Sequence, residues 1–237
     1  MTVVGMIFAR GGSKGIPNKN LQLVAGKSLI TRAIETAQSV SALDRLIIST
    51  DSQEIADVAL GAGAEVPFLR PTHLSGDLSA EWRAWQHALE FLKDTGGEFP
   101  DTMVSIPTTS PLREVADIES CINAYRDGGW DAVVTVTPAQ RSPYFNMVRL
   151  APDGQASIAL DSPAGFVRRQ DSPQLYDMCT VTYVVCTEFI LQNDSLWAGR
   201  VGAVEIPQER ALDIDTPFDL RLAELILNDQ ARLDGAC

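Results

Sequence analysis

Val3-Val-Gly-Met-Ile-Phe-Ala-Arg-Gly-Gly-Ser-Lys-Gly-Ile-Pro-Asn-Lys-Asn20 is an apolar run followed at once by a glycine-rich, cationic loop. Val3–Phe8 is continuously apolar, the pattern of a central parallel strand buried on both faces. The loop carries Arg10, Lys14 and Lys19 among Gly11, Gly12 and Gly15. Glycines let backbone N–H groups cup an anion with no Cβ in the way, and the cations supply neutralising charge. In a chain of formal net charge −12 this basic loop is a local exception, and its natural ligand is a polyphosphate. The bland alternative is a tight turn with solvated Lys and Arg. The preceding strand, the cations and Pro17 favour phosphate binding.

Outward from that loop, the pattern alternates. Ser28–Ser39 has the apolar stripe of a helix, Arg45–Ser49 reads as a strand, and Asp51 or Ser52 can cap the next helix. Glu65–Leu69 reads as a short third strand, 79–95 as a helix with Trp82 and Trp85 on its apolar side, and Thr102–Ile106 as a strand. Asp117–Arg126 reads as a helix, Ala132–Thr137 and Thr180–Cys186 as strands, Ala203–Ile206 as a short strand, and Pro217–Asn228 as a last helix. Such alternation predicts an α/β, Rossmann-like doubly wound, mostly parallel sheet with ligands at the carboxyl ends of its strands. Residues 138–173 break the rhythm. Rich in Pro, Gln, Ser and Arg, with only Phe145–Leu150 and Ala156–Leu160 strand-like, they form an excursion: a hairpin, a lid or a dimer arm.

With 237 residues, 45% apolar and 21% charged, the chain suits one globular domain over 1–237. A pI near 4.5 excludes a nucleic-acid partner, which needs a broad basic face. No apolar run approaches the ~20 residues of a membrane span, and no membrane partner is expected. The N-terminus lacks a signal-peptide pattern, and Cys121, Cys179, Cys186 and Cys237 form no CxxC pair, so reduced thiols in a cytoplasmic protein are expected.

Asp213-Ile-Asp215-Thr-Pro217 places two carboxylates on one side of an extended segment, just before a helix that begins at a proline. An N-cap aspartate with a solvated neighbour is the bland reading. Beside a triphosphate loop, two oxygen ligands for Mg²⁺ are the better one, since that ion is held by one or two carboxylates plus substrate phosphates. Gly26-Lys-Ser28 is not a Walker loop, because Leu21 stands where the loop's first glycine is required, and no GxGxxG follows the first strand. Asp51 reads as a helix cap, and Arg70-Pro71 and 75–81, after the third strand, are polar enough to read a base or a sugar. Thr108-Thr-Ser-Pro-Leu-Arg113 sits at a strand end, where its hydroxyls and Arg113 line the site or form a turn. Arg168 and Arg169 make a basic cluster, either a solvated face or a bidentate hold on an anionic group. His73 and His87 stand alone and read as structural.

Six segments together carry a family resemblance: 9–20, Ser49-Thr-Asp51, Phe68-Leu-Arg-Pro71, Thr109-Ser-Pro-Leu-Arg113, Arg169-Gln-Asp171 and Asp213-Ile-Asp-Thr-Pro217. In that order, and spanning nearly the whole chain, they resemble the acylneuraminate cytidylyltransferases. The resemblance implies a homodimer that transfers CMP from CTP to the anomeric hydroxyl of a 2-keto sugar acid and releases pyrophosphate. It implies that Ala9, Arg10, Gly12, Ser13, Lys14, Lys19 and Asn20 hold the nucleotide, with Arg70 and Ser79 near the cytosine. It implies catalytic roles for Arg10, Lys14, Lys19 and Asp215, and Mg²⁺ on Asp213 and Asp215. Arg169, Gln170, Thr109 and Ser110 would meet the acidic sugar, and the excursion would be the dimerisation element. The chain departs from the family at Pro107-Thr108, at Ser142 and at Cys179–Tyr183, on the sugar-acid side. The acceptor is therefore left open among sialic, legionaminic, pseudaminic and other nonulosonic acids, or a phosphonate. A different nucleoside triphosphate, or a non-catalytic nucleotide-binding module, is the competing reading; the retention of both carboxylates favours an enzyme.

Overall fold

The computed structural model describes residues 1–76, 80–96, 99–161, 168 and 171–234. β1 (Val3–Phe8) lies between β4 (Arg45–Ser49) and β5 (Thr102–Ser105), parallel to both. The six-stranded sheet continues through β9 (Tyr176–Cys186), β6 (Ala132–Pro138) and β10 (Val201–Glu205), in the order β10-β6-β9-β5-β1-β4. β9 alone runs antiparallel to its neighbours, β5 and β6. The mostly parallel sheet expected from the sequence is therefore present, with one reversed strand near its centre.

Alternate residues of β1 feed two cores. Val3 and Ile7 join Ile30 and Ile34 of α1 (Leu29–Gln38), Ile55 of α2 (Gln53–Gly61) and Ile118 of α4 (Val115–Gly128). Val4 and Met6 face Trp82, Trp85 and Leu89 of α3 (Glu81–Asp94) and Ile190 of α5 (Thr187–Gln192). Burying each such aliphatic side chain contributes roughly 1.5–3 kcal/mol, so the sheet is held from both faces. The chain leaves β1 toward α1 and β4 on one side, while β5 lies on the other. The crevice beyond the carboxyl ends of β1 and β5 is thus a switch point, where ligands sit in such sheets.

Several expectations are corrected. The third strand is reduced to two isolated bridges, Ile47 with Glu65 and Thr50 with Leu69, because Pro67 between them has no N–H to donate. Gly26-Lys27-Ser28 belongs to a small hairpin of β2 (Leu23–Val24) and β3 (Lys27–Ser28), whose turn residues Ala25 and Gly26 both take positive φ. Ser28 caps α1 by accepting from Thr31 N at 3.2 Å, and Lys27 pairs with Glu35. Within the excursion, β7 (Val148–Leu150) and β8 (Ala156–Ile158) pair as an antiparallel hairpin, shorter than the two apolar runs. The last helix, α6 (Pro217–Asp234), runs beyond the expected Asn228.

Candidate active site

Ala9 continues β1 by donating its N–H to Ser49 O at 3.0 Å, and its side chain is buried below the loop. The next amide, Gly11 N, donates to Asp51 Oδ1 at 2.9 Å. Asp51 is therefore not the helix cap; Ser52 caps α2, its Oγ accepting from Ile55 N. Gly12 and Lys14 stand exposed at the loop's tip, with Ser13 half-buried between them. Gly15 passes so close to the Asp213–Asp215 segment that a Cβ there would meet Asp215 O at 2.5 Å. Only glycine allows this approach. Lys19 closes the junction: its Nζ donates to Ile214 O at 2.7 Å and pairs with Asp215 Oδ1 at 3.1 Å. Asn20 is buried, donating to Arg10 O at 2.9 Å and accepting from Thr108 Oγ1 at 2.5 Å.

These bonds place the cationic loop on one wall of a cleft of about 330 Å³ at the carboxyl ends of β1 and β5. Arg10, Lys19 and Asn20 line it together with Arg70, Glu81, Thr108, Thr109, Thr180 and Tyr183, among others. Larger grooves exist elsewhere on the surface, but this is the one where the cations converge. Arg70 is buried, its backbone held by Thr50 O and its Nε donating to Ser75 Oγ at 2.9 Å. Burial lowers its pKa, while Asp51 and Glu81 act in the opposite direction and Arg10 adds to the lowering. Glu81 stands at the start of α3, solvent-accessible and opening onto the cleft. Desolvation of its carboxyl raises the pKa against the opposing pull of the Trp85 hydrogen bond and the Arg70 charge. Burial likewise raises the Tyr183 hydroxyl, with the Glu81 charge adding to it.

The Asp213-Ile214-Asp215 segment has the alternation its spacing predicts. Ile214 is fully buried with Ile16 and Leu29, and Ile214 N donates to Thr109 O at 2.9 Å. The bland reading of the carboxylates fails, because Thr216 caps α6: Thr216 Oγ1 accepts from Asp219 N, and Asp219 Oδ2 accepts from Thr216 N at 2.7 Å. Asp215 is left largely exposed beside Lys19. Asp213 faces the adjoining groove with Thr137, Met178 and Cys179, and its Oδ1 is buried with no hydrogen-bond partner among the described residues. An orphaned carboxylate oxygen and an exposed carboxylate two residues on are a donor set that fits a hard divalent cation. Among the described residues no cluster of three or more His, Cys, Asp or Glu is arranged around a metal. Such an ion would therefore depend on substrate phosphates for its remaining ligands.

The other sequence-predicted residues divide. Thr109 lines the cleft, whereas Ser110 lies buried beneath it, its hydroxyl 2.9 Å from Thr180 Oγ1. Arg113 also lies beneath: it donates to the carbonyls of Val181 and Pro107, and to Thr180 O at 3.4 Å. Burial lowers its pKa to about 9, so it is still cationic at neutral pH. It props the irregular part of β9, where the register jumps from Val134 opposite Tyr183 to Thr135 opposite Cys179. Arg168 is paired with Asp171 at 3.0 Å and exposed, in keeping with a solvated face. Ser79, Arg169 and Gln170 lie outside the described residues. His87 stacks edge-on against Phe68, the structural role expected of it. Arg70, Ser75 and Glu81, from the segments read as able to meet a base or a sugar, line the cleft, as do Thr180 and Tyr183 of the segment placed on the sugar-acid side. Sequence alone assigns Glu81, Thr180 and Tyr183 no individual role. Asp51 was singled out but given the wrong partner. The family departures Pro107, Thr108 and Thr180 all line the cleft.

A cytidylyltransferase family profile matches residues 4–218. The chain belongs to the cytidylyltransferase family. Among curated relatives, it is 34% identical over 228 residues to the post-translational flagellin modification protein B of Campylobacter coli, covering 94% of each chain. It is 32% identical over 222 residues to the CMP-N,N'-diacetyllegionaminic acid synthase of Campylobacter jejuni, covering 94% of this chain and 93% of that one. Among solved structures, CMP:2-keto-3-deoxy-manno-octonic acid synthetase complexed with CTP superimposes with a TM-score of 0.71 at 17% identity, covering 97% of this chain and all of that one. At that identity the likeness speaks for the fold. The resemblance drawn from the six motifs is borne out, and the chain is a nucleotidyltransferase.

Proposed function

We propose that this cytidylyltransferase moves CMP from CTP to a hydroxyl of a nonulosonic acid and releases pyrophosphate. The observation that carries the reading is the junction of the cationic loop with the carboxylate segment, closed by Gly15 against Asp215 O and by Lys19 on Ile214 O and Asp215. A triphosphate in the cleft would have its phosphates at that junction and its base toward Arg70. Arg10, Lys14 and Lys19 would offset charge as it builds on the leaving pyrophosphate, the work of positioned cations in such transfers. Gly11 N is already committed to Asp51, so the phosphate-facing amides are those nearer the loop's tip. Asp213 and Asp215 would hold Mg²⁺, with Lys19 yielding Asp215 as the ion binds. When bound, that ion supplies charge neutralisation at the α-phosphate and lowers the pKa of an attacking hydroxyl.

The acceptor class rests on the relatives. A 32% identical CMP-N,N'-diacetyllegionaminic acid synthase covering nearly the whole chain favours a di-N-acylated nonulosonic acid over N-acetylneuraminate. Pro107, Thr108 and Thr180 are the positions through which this preference would act. A homodimer is part of the reading. The excursion exposes Val148 and Leu150, and the adjoining start of β9 exposes Tyr176 and Met178, at 48–73%, an apolar surface of the kind that a second copy covers. Cys121, Cys179 and Cys186 are free thiols, which suits a cytoplasmic enzyme. Among the described residues no helix is long and apolar enough to cross a membrane.

The test is incubation with CTP, Mg²⁺ and each of a panel of sialic, legionaminic and pseudaminic acids and small phosphonates, with the product read by mass. The expected product is a CMP-linked nonulosonic acid, with the diacetylated legionaminic acid converted best. CMP transfer to a phosphonate alone would overturn the acceptor assignment, and NDP with free phosphate would overturn the reaction type.

A further inference from the structure

The cleft has a second charged wall that the phosphate chemistry does not use. It is lined by residues of the 70–76 stretch and the first turn of α3, and it carries both the Glu81 carboxylate and the buried Arg70 guanidinium, each within the other's electrostatic reach. We propose that Glu81 is the residue that distinguishes cytosine from uracil, accepting a hydrogen bond from the base's exocyclic amine. The proposal rests on the CTP reading above.

Three observations support it. A carboxylate only accepts hydrogen bonds and repels phosphates, so this wall must face a part of the nucleotide that donates. That leaves the base amine and the ribose hydroxyls. Arg70, on the same wall, only donates, so the wall presents both an acceptor and a donor. That pair complements the cytosine edge, an amine next to ring acceptors; uracil places a carbonyl where the amine would be. Finally, the carboxylate is aimed. Trp85 Nε1 donates to Glu81 Oε1 at 3.2 Å, and Oε2 has no hydrogen-bond partner among the described residues. Trp85 is itself fixed in the core against Trp82 and Tyr183, so the carboxylate is held in place from behind.

The chemistry predicts what Glu81→Gln does. An amide has one oxygen; if it keeps the Trp85 bond, its NH₂ faces the base and now suits the uracil carbonyl. The experiment is calorimetric binding of CTP, UTP and dCTP, in Mg²⁺, to the wild type, Glu81→Gln and Glu81→Ala. The wild type is expected to prefer CTP to UTP. In Glu81→Gln that preference should fall about ten- to a hundredfold, the scale of a lost hydrogen bond to a charged group, with UTP affinity equal or higher. Glu81→Ala should lose the preference by weakening CTP alone. A structural role would weaken both nucleotides equally, and that result overturns the proposal. So does an unchanged CTP-to-UTP ratio, or a change confined to the CTP-to-dCTP ratio, which would put Glu81 on the ribose. A wild type that binds no nucleotide would overturn both this proposal and the CTP reading beneath it.

Discussion

The glycine-rich loop and the 138–173 excursion both interrupt the regular alternation of strands and helices, and their described residues are held in opposite ways. The loop is pinned by bonds to distant parts of the fold: Gly11 to Asp51, Asn20 to Thr108, Lys19 to Ile214. Nearly every residue that pins it is polar, and the contacts are with backbone or buried groups. The excursion is held mostly by its own neighbours, a hairpin of two three-residue strands, and it turns apolar side chains outward. The difference shows two kinds of functional segment. One is preorganised by the fold, so that its charges cost little to position when a nucleotide arrives. The other carries unspent apolar surface and is completed by something outside the chain.

The comparison can be broken at several strengths. Asp215→Ala acts on the pinned half and should have the largest effect, a loss in kcat of about 100-fold or more, roughly 3 kcal/mol of transition-state stabilisation. The thermal unfolding midpoint should barely move, because Asp215 is largely exposed and is not the cap of α6. A variant at near wild-type rate in Mg²⁺ would remove the metal assignment. Gly15→Ala drives a Cβ against Asp215 O. It should cost about 1–3 kcal/mol in chemical denaturation, as overpacking does, and should lower kcat as the loop is pushed off the carboxylates. Thr216→Ala removes the cap hydroxyl and should cost about 1 kcal/mol of stability, with a smaller loss of rate because the carboxylates keep their place. In the excursion, Leu150→Ser should change the stability of the monomer by no more than ~0.5 kcal/mol, as an exposed substitution does. Its effect should appear in light scattering as a shift from dimer toward monomer. A dimer unmoved by that change would take the excursion out of the interface.

Much of the fold was legible because its signals are local. Ser28–Ser39 reads as a helix and α1 spans Leu29–Gln38, because the apolar stripe and the Ser28 cap are both in the sequence. Arg45–Ser49 is a strand at the same bounds for a similar reason. The direction of β9 was not legible, since a run such as Val181–Val185 looks the same in either orientation and only its neighbours decide. The Leu23–Ser28 hairpin was missed because two-residue strands have no period to detect. In the site, the loop and the Asp213–Asp215 segment could be found from charge and spacing. Asp51 was misassigned because its partner, Gly11 N, lies on the neighbouring strand's loop, while Ser52 next to it satisfied the cap. Glu81 fell within the polar 75–81 stretch read as able to meet a base or a sugar, but one acidic residue at the start of an amphipathic helix carries no sign of an individual role.

At the centre of the account, the cationic loop and the carboxylate segment act as one site, joined through Lys19. The most direct test is a double-mutant cycle on kcat for pyrophosphate release from CTP and the acceptor, with Lys19→Met, Asp215→Asn and the two combined. Groups that work as a unit are strongly non-additive, so the double variant should be little worse than the poorer single one. Losses that multiply would mean that the two segments contribute independently, and would contradict the account.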